Sequence, residues 1–225
     1  MVRLRRFFRR FRRPLRAVRR MRRYFPNRRR KVRSRRGSMF CKLTKVATIT
    51  VENNINSVWD GSFVPDDFKE FTSLSKNFEF VRFLKVRITV VPLQNVANNS
   101  TSSVPAFAMT PWHYAMDLPK NFQNYLSMDK SKMSRQTHVM SQTYVPNIGL
   151  LTSVLDHSGK VAEDVDAIQW RPYVRTVNQN GNSLPRVRCG VVAFQGQSDM
   201  AGRTTTFNIK TDVFVRFTGQ SIMNI

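Results

Sequence analysis

Eighteen arginines and one lysine crowd the first 36 residues, and no carboxylate accompanies them. They are Arg3, Arg5, Arg6, Arg9, Arg10, Arg12, Arg13, Arg16, Arg19, Arg20, Arg22, Arg23, Arg28, Arg29, Arg30, Lys31, Arg33, Arg35 and Arg36. A guanidinium grips phosphate through two parallel hydrogen bonds and stacks on bases, whereas an ammonium is a point charge. The arginine bias therefore points to nucleic acid rather than to a generic anionic surface. Phe7, Phe8, Phe11, Tyr24 and Phe25 interleave with the charges, and such rings stack on unpaired bases without demanding a sequence. Single-stranded nucleic acid is the polyanion this pattern suits best. Two further readings stay open. Arg28-Arg29-Arg30-Lys31 is dense enough for a nuclear import address, which is compatible with nucleic-acid binding. Leu4, Phe8, Phe11, Leu15 and Val18 recur at helical spacing, as in an amphipathic helix on a membrane surface, although Pro14 interrupts that face and Pro26 closes it.

The rest of the chain offers little reactive chemistry. His113, His138 and His157 are scattered, with no HxH, HExxH or HxxxH pairing. Glu163-Asp164-Val165-Asp166 is the densest acidic cluster. It supplies one side of a divalent-ion site, and a solvated loop is the simpler reading. Phosphate loops, nucleophile elbows and dinucleotide fingerprints are missing. Cys41 and Cys189 make neither a disulfide framework nor a metal knuckle and read as buried thiols. The expectation is a protein that is not an enzyme and has no catalytic residues, no metal, no cofactor and no small-molecule substrate. The charge pattern fits no secretory signal, and no apolar run is long enough to span a bilayer.

What positions the arm is a body of different composition. The chain carries 38 Lys and Arg against 14 Asp and Glu. Nineteen of those cations and all fourteen acids lie in residues 37–225, so the body is nearly balanced while the arm holds +19. Gly37-Ser38 marks the boundary, giving an arm at 1–36 and a shell of structure at 37–225. Within the body the dominant period is two. Strands are predicted at 43–51, 80–91, 186–195 and 207–217, with weaker ones at 57–64, 104–109, 134–145 and 165–173. In the second, Leu84, Val86, Ile88 and Val90 should face one way and Lys85, Arg87 and Thr89 the other, giving a half-buried strand with a basic outer face. The last strand should bury Phe207, Ile209, Val213, Val215 and Phe217. Pro65-Asp66-Asp67 ahead of Phe68, Phe71 and Leu74 predicts a short helix. About eight strands joined by long polar loops (94–103, 111–132, 147–166, 178–183) predict an all-β jelly roll, with the strands at 186–195 and 207–217 in opposite sheets. Trp59, Trp112, Tyr114, Tyr125 and Trp170 are candidate anchors of a subunit interface, with an intrachain core role as the alternative for each.

The stretches GSMFCKLTKVATITV, FVPDDF, NFEFVRFLKVRITVVP, DKSKMSRQTHVMSQTYVPN and FNIKTDVFVRF, in that order behind an arginine-rich arm, resemble the capsid proteins of the circoviruses and their cyclovirus relatives. The resemblance implies a single eight-stranded jelly roll and a shell of sixty identical subunits. It also implies arms that hold a circular single-stranded DNA genome, nuclear import by host receptors, and outer loops that contact host-surface glycans. Sixty arms of this charge would carry roughly 1,100 positive charges, enough for a similar number of phosphates. Two other functions compete with it. A cellular nucleic-acid-binding protein of the ribosomal or RNA-chaperone type would spread its charge across the fold, and a nuclease would need paired acids or histidines on strands.

Overall fold

The computed structural model describes residues 37–93, 104–114, 117–155, 161–176 and 184–220. The arm, with every nucleic-acid and base-stacking candidate on it, and the loops 94–103 and 178–183 lie outside the described residues. The period-two segments form long antiparallel strands. They are β1 (Ser38–Glu52), β2 (Ser57–Asp60), β3 (Phe78–Pro92), β4 (Ala106–Pro111), β5 (Lys132–Arg135), β6 (Met140–Tyr144), β7 (Asn147–Leu155), β8 (Val161–Trp170), β9 (Tyr173–Arg175), β10 (Gly190–Phe194) and β11 (Thr204–Gln220). The expected short helix is present as a 3-10 turn at Pro65–Asp67 running into α1 (Lys69–Leu74), and a second one-turn helix, α2, spans Phe122–Leu126.

One sheet has the order β1-β11-β3-β6, with β9 also on β3, and the other has the order β2-β10-β4-β5. These two four-strand orders make an eight-stranded jelly roll, with the last two strands in opposite sheets as expected. Eleven strands occur among the described residues rather than about eight, because the connection from β6 to β10 holds β7, β8 and β9. This corrects the loop expected at 147–166. β7 and β8 pair with each other from Asn147↔Trp170 to Leu155↔Val161, and the acidic cluster at 163–166 lies on β8.

Alternation explains the core. β11 buries Phe207, Ile209, Val213, Val215 and Phe217, and β3 buries Val81, Phe83, Val86, Ile88 and Val90. Leu84 is not in that row. The register of β3 on β11 slips there, from Phe214↔Lys85 to Val215↔Phe83, so a bulge takes up Leu84 and shifts the phase of the strand. Phe107 of β4, Phe194 of β10 and Phe207 of β11 form a ring cluster that bridges the two sheets, with centroids 4.8–6.2 Å apart. The α1 segment adds Phe68 and Phe71 to the same core. All five residues of β10 are buried, because it feeds two cores. Val192 and Phe194 face the sandwich interior, while Val191 and Ala193 face a smaller cluster with Ala108, Phe122 and Tyr125 beneath α2.

Candidate nucleic-acid interface

The outer face of the β1-β11-β3 sheet follows from the same alternation. Residues between the buried positions of β3 are Arg82, Lys85, Arg87 and Thr89, and those of β11 include Asn208, Lys210, Asp212, Phe214 and Arg216. Register sets them side by side. Lys210 lies opposite Thr89, Asp212 opposite Arg87, Phe214 opposite Lys85, and Arg216 opposite Arg82. From β1, Phe40 lies opposite Arg216, Lys42 opposite Phe214 and Thr44 opposite Asp212. β9 adds Tyr173 opposite Arg82 and Arg175 opposite Phe80. Seven cations thus share one sheet face with a single central carboxylate, Asp212; Glu52 stands at the far end of β1.

Like charges at cross-strand spacing repel, and three features relieve that cost. Asp212 accepts a 2.8 Å hydrogen bond from Thr44 Oγ1 and lies 3.5 Å from Lys210 Nζ and 3.9 Å from Lys42 Nζ. Lys85 Nζ sits 4.5 Å from the Phe214 ring centroid, and the Arg216 guanidinium 5.5 Å from that of Phe40. Exposure to water screens the remainder. Among the described residues no ion pair engages Arg82, Lys85 or Arg87. Hydroxyls fill the gaps, with Thr48 donating to Asn208 Oδ1 at 2.8 Å and Thr50 and Thr206 3.3 Å apart. A flat grid of cations, hydroxyls and ring faces can hold phosphates without reading sequence.

The aromatic candidates separate. Tyr125 is fully buried in the cluster under α2, so it is no surface anchor. For Tyr125 this corrects the interface reading in favour of its core alternative, and the cause is the α2 turn, which folds the ring back onto β10. Trp59 is half-buried against the main core, and Trp112 half-buried against the cluster under α2, 5.8 Å from the Tyr125 ring. Tyr114 and Trp170 are about half exposed. His113 packs edge-on against Trp170 with centroids 4.5 Å apart, and burial lowers its pKa. Cys189 is buried, its thiol pushed up to about 12 by desolvation, and Cys41 is half-buried and shifted the same way. Among the described residues no cluster of three metal-ligating side chains occurs. The basic sheet face is what sequence reasoning left out of the binding site. Its signal was present in the alternation of β3 and β11, but only the register joins the two rows.

The comparisons with known proteins agree with this architecture. The chain is 37% identical over 194 residues to the capsid protein of Human associated cyclovirus 1, covering 85% of this chain and 87% of that protein. Its fold is similar to the BFDV capsid protein solved as a 60-mer, with a TM-score of 0.60 and 14% identity over 84% of this chain and 97% of that one. The decameric form of the BFDV protein gives a TM-score of 0.51 and 14% identity over 80% and 98%. The family model described as circovirus capsid protein matches residues 5–221, so the chain belongs to the circovirus capsid protein family.

Proposed function

We propose that this chain is the subunit of a closed sixty-copy shell that encloses single-stranded DNA, held both by the arm and by the basic sheet face. The observation that carries the reading is that face. Arg82, Lys85, Arg87, Arg175 and Arg216 stand with Lys42 and Lys210 on one side of one sheet, and the arm contributes nineteen more cations. The BFDV relative of the same fold assembles as a 60-mer, which supports the copy number. Apolar side chains left at the surface, Met133, Val139, Leu150 and Ile168, supply material for subunit contacts. Within the same reading, Arg28-Arg29-Arg30-Lys31 is the address for nuclear import receptors, the mature location is the virion, and outer loops meet host glycans.

The test is expression of the full chain, followed by sedimentation, electron microscopy and extraction of nuclease-protected nucleic acid. Closed particles containing single-stranded nucleic acid are expected. Reversing the face with Lys42→Glu, Lys85→Glu, Arg87→Glu and Lys210→Glu should leave shells whose nucleic-acid content falls several-fold. A protein that stays monomeric at every salt and concentration refutes the assembly. Unchanged content in the reversed variant refutes the role of the sheet face.

A further inference from the structure

Two arginines ahead of β10 line one pocket and are used differently. The pocket, of about 330 Å3, opens between the end of β2, the segment after β4 and residues 186–188. Arg186 is committed within the subunit. Its Nη1 lies 3.5 Å from Asp60 Oδ2 and donates to Ser62 Oγ at 3.1 Å, and Ser62 donates to the same carboxylate at 2.6 and 2.8 Å. Arg188 has no such partner. Among the described residues no ion pair or side-chain hydrogen bond engages it. Its backbone is fixed instead, by two hydrogen bonds exchanged with Asn147 at 2.8 and 2.9 Å. Its Nη1 rests over Gly149 of β7, 2.9 Å from where a Cβ would stand. The residue is half-buried, yet its guanidinium nitrogens reach solvent and it lines the pocket. An open guanidinium fork held in this way takes a planar anion.

The rest of the pocket selects among anions. Trp112 and Tyr114 pack edge to face on one wall, with ring centroids 5.6 Å apart, and Asp60 and Asp117 line it as well. A nucleic-acid backbone carries a charge at every step and would meet those carboxylates together with the arginine. The basic sheet face, with seven cations around one central carboxylate, suits it better. A single carboxylate flanked by apolar side chains matches a pocket of rings and one free guanidinium.

The β7–β8 hairpin offers that combination. Residues 147–170 carry Asp156, Glu163, Asp164 and Asp166 against one cation, Lys160, in a chain whose formal charge is +24. Asp164, Asp166 and Ile168 hold alternate positions of β8, opposite Ser153, Leu151 and Gly149. Leu150 and Ile168 are exposed, and among the described residues the hairpin pairs with neither sheet of the sandwich. An acid-rich, apolar projection from a basic chain is complementary in charge to the rest of that chain. We propose that the pocket around Arg188 receives residues 164–168 of a second copy, with a carboxylate of Asp164 or Asp166 on the guanidinium and Ile168 against the rings of Trp112 and Tyr114. This inference rests on the proposed shell and assigns one of the contacts that close it.

The experiment compares two full-length variants, Arg188→Glu and the pair Asp164→Arg with Asp166→Arg. They are expressed singly, together as separate chains, and combined in one chain. Each variant alone should yield about tenfold fewer particles, because reversing one partner of a desolvated charge pair turns attraction into repulsion at a contact repeated around the shell. Expressed together as separate chains, they should recover most of the particles, since each chain brings the half that the other lacks, and both chains should be found in the same particles. Recovery only when all three changes stand in one chain would put the subunit's own hairpin in the pocket and overturn the proposal. Normal yields from either single variant overturn it too, and a drop in the nucleic acid held by Arg188→Glu particles would then name a phosphate as the occupant. Failure of both combinations to recover particles refutes the charge pairing. Absence of particles from the unaltered chain overturns the shell reading as well.

Discussion

The two sheets of this sandwich share a core but differ on their other faces. The central strands of the β2-β10-β4-β5 sheet are covered on both sides, since Val191 and Ala193 of β10 and Ala108 of β4 pack beneath α2 while their neighbours pack inward. Among the described residues the β1-β11-β3 sheet is covered on one side, and its bare side carries the cations. The contrast separates two jobs that one β-sandwich must do. A sheet buried twice is committed to stability and reads as a continuous apolar run, whereas a sheet buried once keeps every second residue free for a ligand. Charge therefore accumulates on the face where it costs the fold least.

Three measurements test that contrast. The largest effect belongs to the shared core. Phe207→Ala removes a ring that touches both Phe107 and Phe194, and urea unfolding of the dissociated subunit should show a loss of about 3–5 kcal/mol. Phe40→Ala on the bare face should stay within about 0.5 kcal/mol. A comparable loss at Phe40 would mean that the outer face is structural after all. Next comes binding. Lys85→Ala and Arg87→Ala should each reduce the slope of log affinity against log salt by about 0.7 for single-stranded DNA while leaving the urea midpoint unmoved. A slope that does not change would assign all phosphate contact to the arm. The smallest effect concerns His113, at the open side between the sheets. Its folded pKa lies below the ordinary value of 6.5 because of desolvation first, with Lys130 acting in the same direction. Above 6.5 both folded and unfolded states are neutral there. As pH falls below 6.5 the unfolded chain takes up the proton first, so stability declines through the folded value. His113→Gln should flatten that decline in a pH series of thermal melts.

Much of the fold was legible because alternation is a local signal. β3, β11 and the α1 segment follow from it directly. Leu84 was misplaced because a bulge shifts the period by one residue, and nothing in FVRFLKV marks where the shift falls. β7 and the start of β8 escape the sequence because Leu150-Leu151 and the acidic run at 163–166 mask alternation there, while the expected strand at 165–173 takes in the end of β8. The sequence leaves Tyr125 open between an interface and a core role because a one-turn helix inside a long connection gives too few residues for a period. The basic face was half legible, since each strand showed its cationic side but the pairing of Lys210 with Thr89 and Asp212 with Arg87 is a property of register. The contact of His113 with Trp170 was not legible at all, because the two rings meet only through tertiary packing.

Among the described residues β1 ends its sheet, and fifteen residues of backbone at an edge would ordinarily invite another strand to join. Lys45 answers that hazard. It belongs to the inward-facing row of β1, with Leu43 and Ala47, and it meets Asp67 of the turn before α1 at 3.2 Å. A strand from a second copy that zipped along β1 would draw this ion pair away from water without replacing its hydration. An inward-row charge makes the edge a poorer template for strand addition. A subunit with so much β-structure thus carries its own opposition to strand addition at the longest edge among its described residues.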